Sequence, residues 1–431
     1  MAAGNDVTTQ VMMTLAGLAG NAAVERPSGE FVADQEARIF KGIEKQLQDK
    51  TLATGGLWQP IWLGLTRDRA NLAYIAQNLT IVPAAPQYAI VLRGTAFSMS
   101  VDVAEDMKVG VLLPFESAGG GAHISQGSMR AFTEIVTAVC HPGVSPVREL
   151  AGTTLVDALQ LLLGGAVGPS TIYVTGHSLG GAMATTLALY LKTVRFGRQP
   201  AAIQVYTFAA PTAGDGGFAS GFNTAFPSAV CVWNKYDAVP NAWWNLVNKV
   251  DPAKGVDHFF PPLKGPVANP VVKDLVKSMA AKAAAGYTQP AQQPALNPNY
   301  TTYDHEQTGT STKDWLGQVA FQHQNNTYLE LLGATKLGDF APRVSANGID
   351  PRYCPRTGGI VVTISGANFT PDSAVDFGVV PGKQPVASAD GKTITVTAPQ
   401  GVGIVDVTVT TMFGTSPADI ANDQFAYVST S

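Results

Sequence analysis

Residues 171–196 read TIYVTGHSLGGAMATTLALYLKTVRF. Thr171 to Thr175 is a short apolar, β-branched run, which predicts a buried strand. From Leu179 the period changes. Leu179, Met183, Leu187, Leu191 and Val194 recur at helical spacing, and Gly197 stops the run. Between the two stands Gly176-His-Ser-Leu-Gly180, a G-x-S-x-G at a sharp strand-to-helix turn. Side chains two positions either side of the serine would clash in such a turn, and glycine removes them. Ser178 would then stand exposed at the helix N-terminus, where the dipole and free N–H groups favour developing negative charge. His177 is expected to pack locally rather than act as a base.

Outward from this stretch the same rhythm continues. Tyr88 to Leu92 is an apolar strand that ends at Arg93-Gly94. Residues 126–140 read as a helix, and Ala202–Phe208 and Ala229–Trp233 as further strands. Strands alternating with helices predict an α/β domain with a mostly parallel sheet. Residues 31–50 form an amphipathic helix carrying Phe31, Ile39, Ile43 and Leu47 at helical spacing. Residues 241–300, rich in Pro, Ala and Asn, interrupt the pattern as an excursion with one helix candidate at 271–284. After about residue 340 the text becomes short alternating strands between Gly/Pro/Asp clusters, which predicts a small β-sandwich. The expected domains are 1–340, with 241–300 as a possible cap insertion, and 341–431.

Composition narrows the function. Lys+Arg is 28 and Asp+Glu is 32, for a net charge of −4, so no basic field points to nucleic acid. No apolar run is long enough to span a membrane. Hydrophobic residues make up 45%, which excludes a wholly disordered chain. Cys140, Cys231 and Cys354 are odd in number and form no C-x-x-C, so buried thiols are expected rather than a disulfide framework or a zinc site. The six histidines are scattered and no calcium-loop signature occurs, so neither a metal nor a cofactor is expected. Asp6 stands where a signal peptide would carry Lys or Arg. The compartment is left open.

A serine nucleophile needs a base, an acid that orients it, and two donors for the oxyanion. The first donor is the N–H of the following residue, Leu179. The second is expected from the loop after an early strand, where Arg93-Gly94-Thr95 places Thr95. Acid candidates after Ser178 include Asp215, Asp237, Asp251 and Asp257. Asp237 stands out because it follows a strand end, with Pro240 closing the loop. Base candidates after Asp237 are His258, His305 and His323.

Four stretches, in order, resemble the class 3 lipases, the group that includes the filamentous-fungal triacylglycerol lipases. They are Tyr88 to Thr95, His123 to Phe132, Gly176 to Ala182, and Asn234-Lys-Tyr-Asp-Ala-Val-Pro240. The resemblance covers about residues 65–335. It implies an α/β-hydrolase fold and hydrolysis of carboxylic esters, with acylglycerol lipids at an oil–water interface as the expected substrate. It also implies Asp237 as the acid, and His323 as the base, since His323 precedes an aromatic residue and a short helix as in that family's last segment. An extracellular address is implied only by the same resemblance. Residues 96–120, or the excursion with Trp243 and Trp244, would supply a lid.

Residues 341–431 resemble an IPT/TIG domain, an immunoglobulin-like sandwich, through Thr357 to Phe369, Val375-Asp-Phe-Gly378, Val405 to Val409 and Phe425-Ala-Tyr427. The partner of that domain is left open. Two alternatives also stay open. One is a short-chain esterase or polyester hydrolase. The other, of a different class, is a surface-binding protein with an inactive hydrolase domain.

Overall fold

A computed structural model of the protein describes residues 6–20, 25–80, 85–93, 108–166, 168–196, 201–246, 270–296, 312–418 and 422–429. The chain divides into two compact units. One joins Met1–Ala19 to Leu47–Leu337, and the other joins Gly20–Gln46 to Gly338–Ser431.

The first unit is built on a six-stranded sheet. Its strands are β1 (Trp58–Leu65), β2 (Leu72–Asn78), β3 (Gln87–Arg93), β6 (Ser170–His177), β7 (Ala201–Phe208) and β8 (Val230–Val232), and they lie side by side in that order. A separate small hairpin, β4 (Leu112–Pro114) and β5 (His123–Ser125), precedes β6. From β3 to β8 the pairing is parallel, as the apolar runs predict. β1 and β2 add an antiparallel edge. Sequence reasoning left this edge out, because Pro60 and the bulge beside it interrupt the period-two pattern of β1.

Helix α1 (Val7–Leu18) opens the first unit and packs on β6. Asp6 caps it by accepting from the Thr8 and Thr9 N–H groups. Met12, Met13, Leu15 and Leu18 are fully buried, and the Tyr74 hydroxyl donates to the Leu15 carbonyl at 2.7 Å. The apolar N-terminal stretch is thus part of the core of this unit. Helix α3 (Gln126–Thr137) is capped by Ser125, and helix α4 (Leu155–Gly164) by Thr154. Helix α5 (Leu179–Thr193) follows β6 directly. Its Gly, Ala and Thr residues let it lie close to β6 and β7, so it is buried over more of its surface than one apolar stripe would give. Helix α6 is Gly216–Ala225, and α7 is Pro270–Lys282. Helices α8 (Thr312–His323) and α9 (Asn325–Leu331) close the unit.

Among the described residues, the second unit holds ten strands in two main sheets. One runs β10 (Tyr353–Pro355), β18 (Gln424–Val428), β16 (Gly403–Thr411), β12 (Ala374–Phe377), β13 (Val380–Pro381), with β17 (Gly414–Thr415) on β16. The other runs β14 (Lys383–Ala387), β15 (Thr393–Thr397), β11 (Val361–Ala367), β9 (Arg343–Asp350). Alternating residues of both sheets, among them Val362, Ile364, Val375, Val396, Val407 and Phe425, form one buried cluster.

This unit differs from an expected 341–431 domain by its N-terminal contribution, helix α2 (Val32–Leu47) and the residues before it. Ile39, Phe40 and Ile43 are buried, as the amphipathic reading requires, while Phe31 is exposed just ahead of the helix. A Cβ at Gly42 would lie 2.4 Å from the Met412 carbonyl oxygen, so only glycine allows the helix to approach that strand end. The Arg26 guanidinium donates to both oxygens of Asp376, whose side chain is fully buried. Arg26→Ala should therefore cost about 3 kcal/mol, the penalty of a buried carboxylate left unpaired. The test is urea unfolding of the full chain, and an unchanged midpoint would detach this segment from the sandwich.

Candidate active site

The site is assembled where β6 turns into α5. Ser178 sits between them with φ 59° and ψ −133°, a conformation that costs a non-glycine residue about 1–3 kcal/mol. The turn is held from both sides. The Ser178 N–H donates to the Phe208 carbonyl at 2.9 Å, and the Gly181 N–H donates to the Ser178 carbonyl at 2.8 Å. A Cβ on Gly176 would lie 2.3 Å from the Gly180 backbone, so the first glycine of the motif is needed for space. A Cβ on Gly181 would meet Ala210 at 2.9 Å and Gly176 O at 3.0 Å. Gly181, just outside the five-residue motif, thus shares the steric role, which the pattern alone did not reveal.

Ser178 Oγ lies 2.8 Å from Nε2 of His323. On the other side of the ring, Nδ1 of His323 lies 2.8 Å from Oδ2 of Asp237. Asp237 is buried and lies five residues beyond the end of β8. Its Oδ1 accepts the Val239 N–H at 2.9 Å, and its own N–H donates to the Asn234 carbonyl. His323 is the last residue of α8, and the short helix α9 starts two residues later. The break between the helices turns the imidazole toward Ser178.

Tyr328, one turn into α9, was not a sequence candidate. It is fully buried, and its hydroxyl donates to Asp237 Oδ2 at 2.8 Å while accepting the Asn234 N–H at 2.9 Å. Burial and the adjacent carboxylate push its pKa well above 10. Asn234 completes the support by donating from Nδ2 to the carbonyl and side-chain oxygens of Gln322, next to His323. A buried Tyr with a polar partner has no periodic signature, so only the fold could reveal it.

His177 packs locally, against the ring of His323. Its ring lies 4.7 Å from that of His323, tilted by 43°, and 5.4 Å from that of Tyr328. Burial, reinforced by His323, holds its pKa well below 6.5, so it stays neutral. The sign for stability follows. Below about pH 6.5 the unfolded chain binds the extra proton, so this contribution is complete above that pH and is lost as pH falls below it. The loss should approach about 1.4 kcal/mol per pH unit for one proton. Urea midpoints of wild type and His177→Gln at about pH 7.5 and about pH 5.5 measure it, and the variant should show the flatter dependence.

The other candidates fall elsewhere. Asp215 caps α6 by accepting the Phe218 N–H and pairs with His123 Nδ1 at 2.8 Å, a carboxylate–imidazole pair apart from that of Asp237 and His323. Thr95, Asp251, Asp257, His258 and His305 lie outside the described residues. β3 ends with Arg93 beside His177. Arg93 itself is buried against the Arg69 carbonyl, and burial lowers its pKa to about 10. Leu179 is the first residue of α5, in the helical turn whose N–H groups lack intrahelical acceptors.

Of the two lid candidates, residues 96–107, 247–269 and 297–300 lie outside the described residues. Trp243 is buried, while Trp244 is 42% exposed and donates to the Pro240 carbonyl. Helix α7 buries Val272 and Val276. Among the described residues no cluster of His, Cys, Asp and Glu could hold a metal ion, and no helix is long and apolar enough to cross a membrane.

Residues 89–245, which carry Ser178 and Asp237, match the family Lipase (class 3). No curated protein matches the chain. Among solved structures, the crystal structure of M37 lipase is similar at 23% identity and TM-score 0.60, over 75% of this chain and 92% of that one. A lipase from Rhizopus microsporus var. chinensis is similar at 19% identity and TM-score 0.39, over 54% and 68%. The likeness to M37 lipase places the first unit in the α/β-hydrolase fold. The class 3 segment at residues 89–245 supports a triacylglycerol lipase-like hydrolase.

Proposed function

We propose that the protein is a serine hydrolase that cleaves acylglycerol esters through an acyl-enzyme, with Ser178 as nucleophile, His323 as base and Asp237 as its orienting acid. The observation that carries the reading is the unbroken chain from Ser178 Oγ through His323 to Asp237, with both contacts at 2.8 Å. His323 Nε2 takes the hydroxyl proton as Oγ attacks the ester carbonyl carbon. The carbonyl oxygen becomes an oxyanion, held by the Leu179 N–H and by Thr95. The C–O bond to the alcohol breaks as His323 returns the proton to the leaving oxygen. Water, deprotonated by His323, then attacks the acyl-enzyme, and the fatty acid leaves as the proton passes back to Ser178 Oγ. Residues 341–431 are read as an immunoglobulin-like module of IPT/TIG type, supported by two sheets around one core.

The experiment is hydrolysis rate against acyl length, from acetyl to stearoyl esters, with Ser178→Ala as the blank. Ser178-dependent turnover of emulsified long-chain esters is expected. Activity confined to short soluble esters would make the enzyme an esterase. No Ser178-dependent turnover at any length would leave a binding protein on a hydrolase fold.

A further inference from the structure

The six-stranded sheet of the second unit has an outer face that is covered at one end only. At the covered end, Asp376 faces Thr408 across β12 and β16, both are buried, and Arg26 and Arg38 of the N-terminal segment reach Asp376 and the Thr411 carbonyl. At the other end, Ile404, Ala426 and Tyr353 stand side by side across β16, β18 and β10. In the next row Val428 lies beside Pro355, and Val402 directly precedes β16. Val402 is 70% exposed, Ile404 67%, Tyr353 63% and Val428 42%. Residues paired across neighbouring strands share a face, so these form one contiguous apolar patch rather than scattered exposed side chains.

We infer that this patch is a contact surface for a neutral acylglycerol phase, which holds the enzyme at its aggregated substrate. Three observations select that occupant. No charged residue stands in the two rows, so an uncharged partner fits. The patch spans three strands and two rows, about 200 Å². That is far below the about 800 Å² per partner of a stable dimer, but it suits one contact with an extended fluid surface. Tyr353 supplies an apolar ring with a polar tip, the chemistry that suits a boundary between oil and water. The choice of an acylglycerol phase rests on the lipase reading given above.

The test uses the full chain with Ser178→Ala, so that droplets stay intact, and measures its partition onto triolein emulsion droplets by flotation. Val402→Asp/Ile404→Asp in that background should lower the partition coefficient about tenfold or more. Val402→Thr/Ile404→Thr keeps the β-branched strand shape and should give a smaller fall, which guards against a folding defect. Unchanged partitioning in both variants would overturn the inference. So would a halved mass in sedimentation, which would make the occupant a second copy, or a lowered Tm with partitioning intact, which would make it another part of the same chain. Turnover of a soluble short-chain ester by the Ser178-intact variants separates the two claims. Normal turnover with lost partitioning supports the patch, and no turnover in wild type defeats the lipase reading while the flotation result stands by itself.

Discussion

Ser178→Ala is expected to lower kcat on a chromogenic carboxylic ester by about 10⁵–10⁶-fold, the loss seen when the nucleophile of a Ser-His-Asp set is removed. The remaining rate would come from the groups that bind the substrate and hold the oxyanion. The fold should survive the change. The strained backbone at φ 59° costs alanine as much as serine, and the bonds that hold the turn are backbone bonds to Phe208 and Gly181. The hydroxyl's sole job in the described geometry is its 2.8 Å contact with His323 Nε2. A Ser178→Ala protein that melts like wild type and keeps a tenth of its activity would remove Ser178 from the mechanism.

Asp237→Asn is the second large effect, with kcat expected to fall by about 10⁴-fold. Both carboxylate oxygens of Asp237 act as acceptors. Oδ2 receives the His323 Nδ1–H and the Tyr328 hydroxyl proton, and Oδ1 receives the Val239 N–H. A carboxamide offers one oxygen and one NH₂ group. If its oxygen takes the Oδ2 place, the NH₂ confronts the Val239 N–H. If it turns over, the NH₂ meets His323 and Tyr328. That second arrangement leaves Nδ1 as acceptor, so Nε2 carries the proton and cannot take one from Ser178. The burial of Asp237 adds a stability penalty of about 1–3 kcal/mol for the donor left unpaired. Parallel measurement of kcat and the urea midpoint separates the two effects. A variant that keeps its activity, beside a neighbouring Asp substitution that loses it, would move the acid elsewhere.

The reach of local patterning is clear in the strand–elbow–helix stretch. Ser178 needs glycine at a fixed offset and a change of period around it, and all of that is written within a few residues. Strands β3, β6 and β7 are apolar throughout because parallel strands are covered on both faces, so they too stand out in the text. Asp237 was readable because it follows a strand end, whereas choosing His323 from three histidines needed the likeness to a family. Nothing periodic marks a histidine that lies 145 residues from the serine it meets.

The sequence by itself determined the α/β class of the first unit, the strand–elbow–helix stretch around Ser178 and the strand-rich character of the end of the chain. Tertiary structure decided the rest. It placed α1 in the core and the arginine-anchored segment 20–46 with the C-terminal strands. It put Tyr328 under Asp237 and His177 against His323, and assigned Asp215 to a helix cap instead of the site. The physical reason is the range of the forces. Backbone period and steric room at a turn act over a few residues and leave their mark in order. Burial, hydrogen-bond satisfaction and carboxylate pairing act between groups that only folding brings together.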